Sequence, residues 1–204
     1  MTINPNDNAA LDNYKLLTNL VIPRPIAWVT SRSEKGIINL APFSFFNAIG
    51  ADPLYIVMGF GRAADGGKKD TPRNIDFTGD FVVHLITEDL IDAMNISAAD
   101  FPPDESEVDA AGLHTVPSTV VSVPRLAEAQ VSLECKLHSS QPIGANWLYI
   151  GQIVMFHIAD HLVGPRLHIN NFAPIGRLGS PSMYCRTTDR FDLPRLSYEQ
   201  AKRK

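Results

Sequence analysis

The sequence predicts a mainly β protein with short helices, built as an antiparallel barrel with helical additions rather than as a parallel α/β sheet. Short apolar or alternating runs, from Ile26–Thr30 to Trp147–Ile158, are separated by turns rich in Gly, Pro and Asp. Helical patterns are few, and they do not alternate with the strands as a parallel sheet requires. The glycine clusters Gly59-Phe60-Gly61 and Gly66-Gly67 lack the G-x-G-x-x-G order at a helix start, so no dedicated dinucleotide domain is expected.

Each element follows from its residues. Leu16 to Ser31 is expected to be extended and free of helix, because Pro23 and Pro25 remove amide donors and push the preceding residues out of the α region. Within it Ile26-Ala27-Trp28-Val29-Thr30 reads as a strand, Glu34-Lys35-Gly36 as a turn, and Ile37-Ile38-Asn39-Leu40 as the returning strand of a hairpin. An aromatic stretch, Pro42-Phe43-Ser44-Phe45-Phe46-Asn47, comes next. Leu54 to Phe60 is nearly all apolar and too short for a typical helix, which makes it a buried strand that ends in the Gly61–Gly67 loop. Asp70-Thr71-Pro72-Arg73-Asn74-Ile75 starts a short helix with Asp70 or Thr71 as its N-cap. Phe81 to Ile86 is a strand, and Glu88 to Ser97 a helix with an apolar stripe of Leu90, Ile91, Met94 and Ile96. The acidic, proline-containing stretch Asp100–Asp109 reads as an exposed loop or short linker helix. Val131 to His138 alternates apolar and polar, the pattern of a strand with one buried face, and Trp147–Ile158 is of similar character.

Composition narrows the function. With 204 residues, 45% hydrophobic and 20% charged, the chain supports one sizeable core. A single domain over residues 1–204 is expected, with its core at about 14–184 and a C-terminal tail from about 185. A net charge of -4 and the lack of any basic run exclude a nucleic-acid footprint. Cys135 and Cys185 stand far apart without ligand-type spacing, so neither a metal site nor a disulfide framework is expected. Met1–Asn8 shows no signal pattern and no apolar run approaches the roughly 18 residues of a membrane span, which points to the cytoplasm. The six histidines are scattered, and His157 and His161, four apart, begin on a predicted strand that denies them a shared helical face. No metal is expected.

No nucleophile elbow, H-E-x-x-H, P-loop or convincing carboxylate pair is present, so hydrolase and transferase readings have no support and no catalytic side chain is singled out. Cofactor-borne redox chemistry demands only binding, orientation and tuning from the protein. Three constellations suit it. Thr30-Ser31-Arg32 and the segment Asn39 to Asn47 mix hydroxyls, amides and rings as an isoalloxazine requires, though by themselves the rings read first as core and the serines as turn residues. Lys68-Lys69-Asp70-Thr71 brings two cations and a hydroxyl to a helix N-terminus, where a monophosphate fits; alone it also reads as a solvated loop with an N-cap. Pro174-Ile175-Gly176-Arg177-Leu178-Gly179 with Tyr184 is a third.

In this order, Arg24-Pro25-Ile26-Ala27-Trp28-Val29-Thr30-Ser31, Asn39 to Asn47, Lys69 to Ile75 and Pro174 to Gly179 resemble the flavin reductase-like, FMN-binding split β-barrel family, over about Tyr14 to Tyr184. The resemblance implies a six-stranded split barrel, a homodimer, and one FMN per subunit in a groove near the dimer interface. It implies that Thr30, Ser31 and Arg32 contact the ribityl chain and phosphate. Ala41, Pro42, Phe43, Ser44, Phe45, Phe46 and Asn47 would lie along the ring, Lys69, Asp70 and Thr71 would form the phosphate turn, and Arg177 belongs to the late motif. The implied activity is hydride transfer from NAD(P)H, the co-substrate, to flavin N5, with reduced FMN either retained as a prosthetic group or released to a partner oxygenase. An FMN-binding electron carrier without nicotinamide turnover uses the same pocket. The tail Thr187–Arg195, through Phe191, would decide whether the ring face is open. A haem- or anion-binding barrel is disfavoured by the match at the phosphate turn.

Overall fold

The computed structural model describes residues 1–179 and 181–203. It contains α1 (Ala10–Leu20), β1 (Ala27–Arg32), β2 (Ile38–Phe43), β3 (Phe46–Ala51), β4 (Leu54–Phe60), α2 (Asp70–Thr78), β5 (Asp80–His84), α3 (Ile91–Ile96) and α4 (Glu107–Ala110). Then follow β6 (Thr115–Val116), β7 (Arg125–Leu126), β8 (Val131–Ile143), β9 (Asn146–Ile158), β10 (Gly176–Arg177), β11 (Tyr184–Cys185) and α5 (Tyr198–Lys202).

Seven strands form one antiparallel sheet in the order β2-β1-β5-β8-β9-β4-β3. Its two edge strands are neighbours in sequence, separated only by Ser44 and Phe45. The sheet therefore has to curl until its edges meet, which abolishes most of the exposed edge. Counting β2 and β3 as one bent strand that pairs with β1 in its first half and β4 in its second, the barrel has the six strands expected. The bend is held where the Gly59 amide donates to the Phe45 carbonyl over 2.7 Å.

Alternation places Ala27 and Val29 of β1, Ile56, Met58 and Phe60 of β4, Phe81 and Val83 of β5, and Leu133 and Cys135 of β8 in the barrel interior. Phe60 meets Phe43 and Tyr149 edge-to-face, at 4.6 and 5.0 Å between ring centres. Gly151 sits directly over the Phe81 ring, where a Cβ would collide with it. The opposite face is also covered: Trp28 and Leu40 pack with Ile86, Leu90, Met94, Val108 and Leu126 in a second core outside the barrel. Burial on both faces is why β1 reads as a continuous apolar run.

The structure corrects three expectations. Helix α1 occupies part of the segment expected to be extended, because Pro23 and Pro25 constrain only the residues next to them and the helix has ended before it reaches Ile22. The N-cap of α2 is Lys69, not Asp70 or Thr71; Asp70 begins the helix, and Pro72 sits within its first turn, where no intrahelical amide is needed. Strand β8 continues to Ile143 past the end of its alternation, because β9 pairs with it rung by rung as far as Ile143↔Asn146.

Buried His84 shows how the outer core handles polarity. Its Nδ1 donates to the Trp28 carbonyl (2.9 Å) and its Nε2 accepts from the Leu126 amide (2.9 Å), which requires the neutral ring. Burial drives its pKa from 6.5 down to about 4. The unfolded chain binds the extra proton between those values, so this contribution is complete above pH 6.5 and lost as pH falls to about 4, worth about 3 kcal/mol. Denaturant titrations at pH 7 and pH 4.5 should show that loss in the wild type and a shallower dependence in His84→Gln.

Candidate functional site

A cleft of about 590 Å³ opens between β2, the N-terminus of α2 and the segment 97–103. Asn39, Ala41 and Phe43, alternate residues of β2, present one face to it, and Pro42 lines it at the free edge. Pro42 falls in register with Ile38 and Leu40, whose backbone groups point away from β1, so its missing N–H removes a donor from the open edge. Lys68, Lys69, Asp70 and Thr71 form the opposite wall.

Two buried amide–hydroxyl bonds fix the helix against the hairpin. Asn39 Nδ2 donates to Thr71 Oγ1 (2.9 Å), and Asn74 Nδ2 donates to Ser31 Oγ (3.1 Å). Ser31 and Asn39 are directly opposite in the β1–β2 register, while Thr71 and Asn74 are three apart on α2, so one row of each element meets the other. The consequence is a placed helix start. No side chain caps α2, and its N-cap Lys69 and first residues Asp70 and Thr71 line the cleft, so the positive end of the helix lies at that wall.

The cations differ. Lys68 Nζ lies 2.5 Å from Asp76 Oδ2 and 4.2 Å from the centre of the Trp147 ring, while Tyr149 donates to Asp76 Oδ1 over 2.8 Å. Burial alone would lower the Lys68 pKa, but Asp76 and Tyr149 outweigh it and hold the ammonium above its ordinary value. Arg73 pairs with Asp70. Lys69 is exposed and enters none of the ion pairs among the described residues, which leaves its charge available at the helix start. An uncapped helix N-terminus, an available ammonium and an apolar strand wall fit a planar ring system carrying one phosphate, as FMN does.

Of the residues singled out from sequence, Ala41, Pro42, Phe43, Lys69, Asp70 and Thr71 converge on this cleft. Thr30, Ser31, Arg32, Ser44, Phe45, Phe46, Asn47 and Arg177 do not line it. Thr30 faces the opposite side of the sheet and donates to the Pro124 carbonyl (2.8 Å). Ser31 is fully buried beneath α2. Arg32 is half-buried at the end of β1. Ser44 accepts from Arg24 Nε, Phe45 packs on Tyr14 of α1, Phe46 packs on the barrel core, and Asn47 bonds the Ala48 amide next to it. The guanidinium of Arg177 lies 4.6 Å from the Tyr184 ring and donates to the Pro181 carbonyl (3.0 Å) within the β10–β11 region. Phe191 of the tail is 87% exposed and does not line the cleft.

Sequence reasoning missed the cleft's far wall. Residues 98–105 form a strap pinned at both ends: Trp28 Nε1 donates to Ser97 Oγ (2.8 Å), Ser106 Oγ donates to the Ile38 carbonyl (2.7 Å), and the Leu40 amide donates to Glu107 Oε2 (2.9 Å). Ser106 and Glu107 thus cover the free edge of β2, as an edge strand requires. Burial pushes the Glu107 carboxyl upward, opposed by the Leu40 amide and helped by the nearby charge of Asp70. The strap carries Asp100 and Phe101 along the cleft. Its only sequence signal was the Pro102-Pro103 pair, which marks a stiff segment without saying what it spans.

In this split barrel the closing strand β2 faces the uncapped start of α2. The chain belongs to the flavin reductase-like family: the model described as "Flavin reductase like domain" matches residues 19–190. It is 42% identical to an uncharacterized protein of Halalkalibacterium halodurans, over 98% of this chain and 99% of that one. It is similar to the crystal structure of nitrilotriacetate monooxygenase component B from Bacillus cereus, with a TM-score of 0.91 and 42% identity over 95% of this chain and 98% of that one. A 2-nitrobenzoate 2-nitroreductase from Pseudomonas fluorescens has a TM-score of 0.88 and 35% identity, over 97% of this chain and 98% of that one.

Proposed function

We propose that this protein is an NAD(P)H-dependent FMN reductase that binds FMN in the cleft between β2 and α2. The observation that carries the reading is the uncapped start of α2, with the available charge of Lys69, placed across from Ala41, Pro42 and Phe43 in a member of the flavin reductase-like family. Lys69 and the first amides of α2 hold the phosphate, and the β2 wall lies along the ring. Asn39 and Ser31 act behind them by positioning the helix. When bound, FMN supplies the hydride chemistry, and no acid or base is demanded of the chain. The exposed apolar residues Leu11, Tyr14 and Leu17, three apart along α1, offer a surface on which a second copy would pack. The Bacillus cereus relative is, by its description, one component of a monooxygenase, which supports delivery of reduced flavin to a partner oxygenase.

The test is anaerobic addition of NADH or NADPH to the purified protein with FMN, following the flavin band near about 450 nm. Protein-dependent bleaching is expected. FMN binding without bleaching would move the function to electron carriage, and absence of binding would remove the flavin reading. Lys69→Ala should weaken FMN binding about tenfold, the value of one charge-assisted contact, with an unchanged melting temperature.

A further inference from the structure

Among the carboxylates that line the cleft, Glu107 alone is buried, at 7% exposed, whereas Asp65, Asp70 and Asp100 reach solvent. It also lines a smaller hollow of about 280 Å³ that adjoins the cleft across the start of α2, which keeps its carboxyl within reach of water. Its Oε2 accepts from the Leu40 amide over 2.9 Å, and it belongs to no ion pair among the described residues. The charged groups around it do not neutralise it. The start of α2 brings Lys69 at the cap and then Asp70 and Arg73, which pair with each other. The turn between β1 and β2 brings Glu34 and Lys35, the strap brings Asp100 and Glu105, and β2 offers only the Leu40 amide and the neutral Asn39. Asp109, two residues on in α4, lies on another side of that short helix. Burial pushes the Glu107 carboxyl above its ordinary value, the Leu40 amide and its own amide hold it back, and the charge of Asp70 pushes it further up.

We infer that Glu107 takes up a proton from solvent when a phosphate settles at the start of α2, which makes FMN binding proton-coupled; the inference rests on the flavin reading above. Glu107 and the α2 start belong to one cleft, so the phosphate sets a second negative charge beside a carboxylate withdrawn from water and without a cation of its own. Protonation removes that repulsion. The neutral carboxyl keeps its carbonyl oxygen as an acceptor for the Leu40 amide, so the strap stays anchored. Like charges in partly buried surroundings repel more strongly than on an open surface, and salt screens them less. Proton and ligand then strengthen each other reciprocally. The contribution of Glu107 to FMN affinity is greatest where its carboxyl is already protonated in the free protein, falls as pH rises, and levels off once the carboxyl is ionised in both states.

The experiment is carboxyl-carbon NMR of the full chain labelled at its glutamates, titrated between about pH 5 and 8 alone, with saturating FMN and with saturating riboflavin. The Leu40 amide resonance is read alongside, because its acceptor is the Glu107 carboxyl. Following the carboxyl itself separates it from the FMN phosphate, whose second ionisation near about pH 6 acts on affinity in the opposite direction. FMN is expected to raise the proton affinity of Glu107 about tenfold, and riboflavin, which lacks the phosphate, to leave it within about twofold. Glu107→Gln, whose amide oxygen can still accept from Leu40, should bind FMN about five- to tenfold more tightly at about pH 8, with riboflavin affinity unchanged. Should that variant not fold, the wild-type titration decides alone. A Glu107 carboxyl that titrates identically with and without FMN, or that riboflavin moves as far as FMN does, would overturn the inference and leave the flavin site standing. If neither flavin binds, the flavin reading fails and the inference with it.

Discussion

Replacing Glu134 with alanine is expected to destabilise the protein by about 3–5 kcal/mol, the cost of removing one partner from a buried ionic cluster. Its side chain is fully buried on β8. Its carboxylate accepts from the amides of Thr119 and Val120, both at 2.6 Å, and of Val121 at 2.9 Å, while His157 Nε2 lies 2.5 Å from Oε1. These bonds latch the segment 118–123 onto the sheet, where Val121 and Val123 pack against Val82. The variant leaves three amides without an acceptor and uncovers that small core. Chemical denaturation should report the loss in midpoint, and hydrogen exchange should show the amides of residues 119–121 among the first to lose protection.

The same group has a defined pH signature. Burial alone would raise the Glu134 pKa, but the backbone amides and His157 outweigh it and bring it from 4.5 down to about 2. With a depressed folded value, the contribution is complete above about pH 4.5 and is lost as pH falls to about 2. His84 acts in the window above, between 6.5 and about 4, so the two residues together give a continuous loss of stability from near neutrality into acid. In Glu134→Ala only the upper part of that decline should survive.

The second large effect is expected at Arg24. The residue is 7% exposed, and its guanidinium donates to the carbonyls of Thr18 (2.6 Å), Val21 (2.8 Å) and Leu178 (2.9 Å) and, at 3.4 Å, to Ser44 Oγ. Its backbone pairs with Arg177 in both directions. One side chain therefore ties the end of α1, the late segment around Leu178 and the bend between β2 and β3. Arg24→Met preserves much of the stem volume but leaves three carbonyls without their donor. A loss of about 2–4 kcal/mol is expected from chemical denaturation, on the scale of charged hydrogen bonds withdrawn from a buried site. Arg24→Lys should recover only part of it, since an ammonium cannot reproduce the forked geometry.

Much of the barrel was legible because its strands carry a local signal. Leu54–Phe60 and Phe81–Ile86 are too apolar and too short to be anything but buried strands, and the hairpin around Gly36 is written in adjacent residues. Lys69-Asp70-Thr71 was legible for a similar reason: a helix start and the charges beside it lie within a few residues of chain. The faces that individual hydroxyls occupy were not. Thr30 and Ser31 are neighbours in sequence, but strand geometry sends them to opposite faces, one to Pro124 and the other beneath α2. Arg177 carries charge in a matching motif, yet a facing Tyr184 ring engages it away from the cleft.

By itself, then, the sequence determined the antiparallel strands, the short helix that begins near Asp70 and the membership in the flavin reductase-like family, since all three rest on residues close together or on ordered motifs. The tertiary structure alone decided which residues share the cleft. Closure of the sheet through Ser44-Phe45 sets where the free edge of β2 faces, and the strap anchored by Ser97, Ser106 and Glu107 walls it through bonds that span 67 to 69 residues of chain. Those contacts join groups remote in sequence, and nothing in a local pattern encodes a hydrogen bond whose partner is chosen by how the barrel closes.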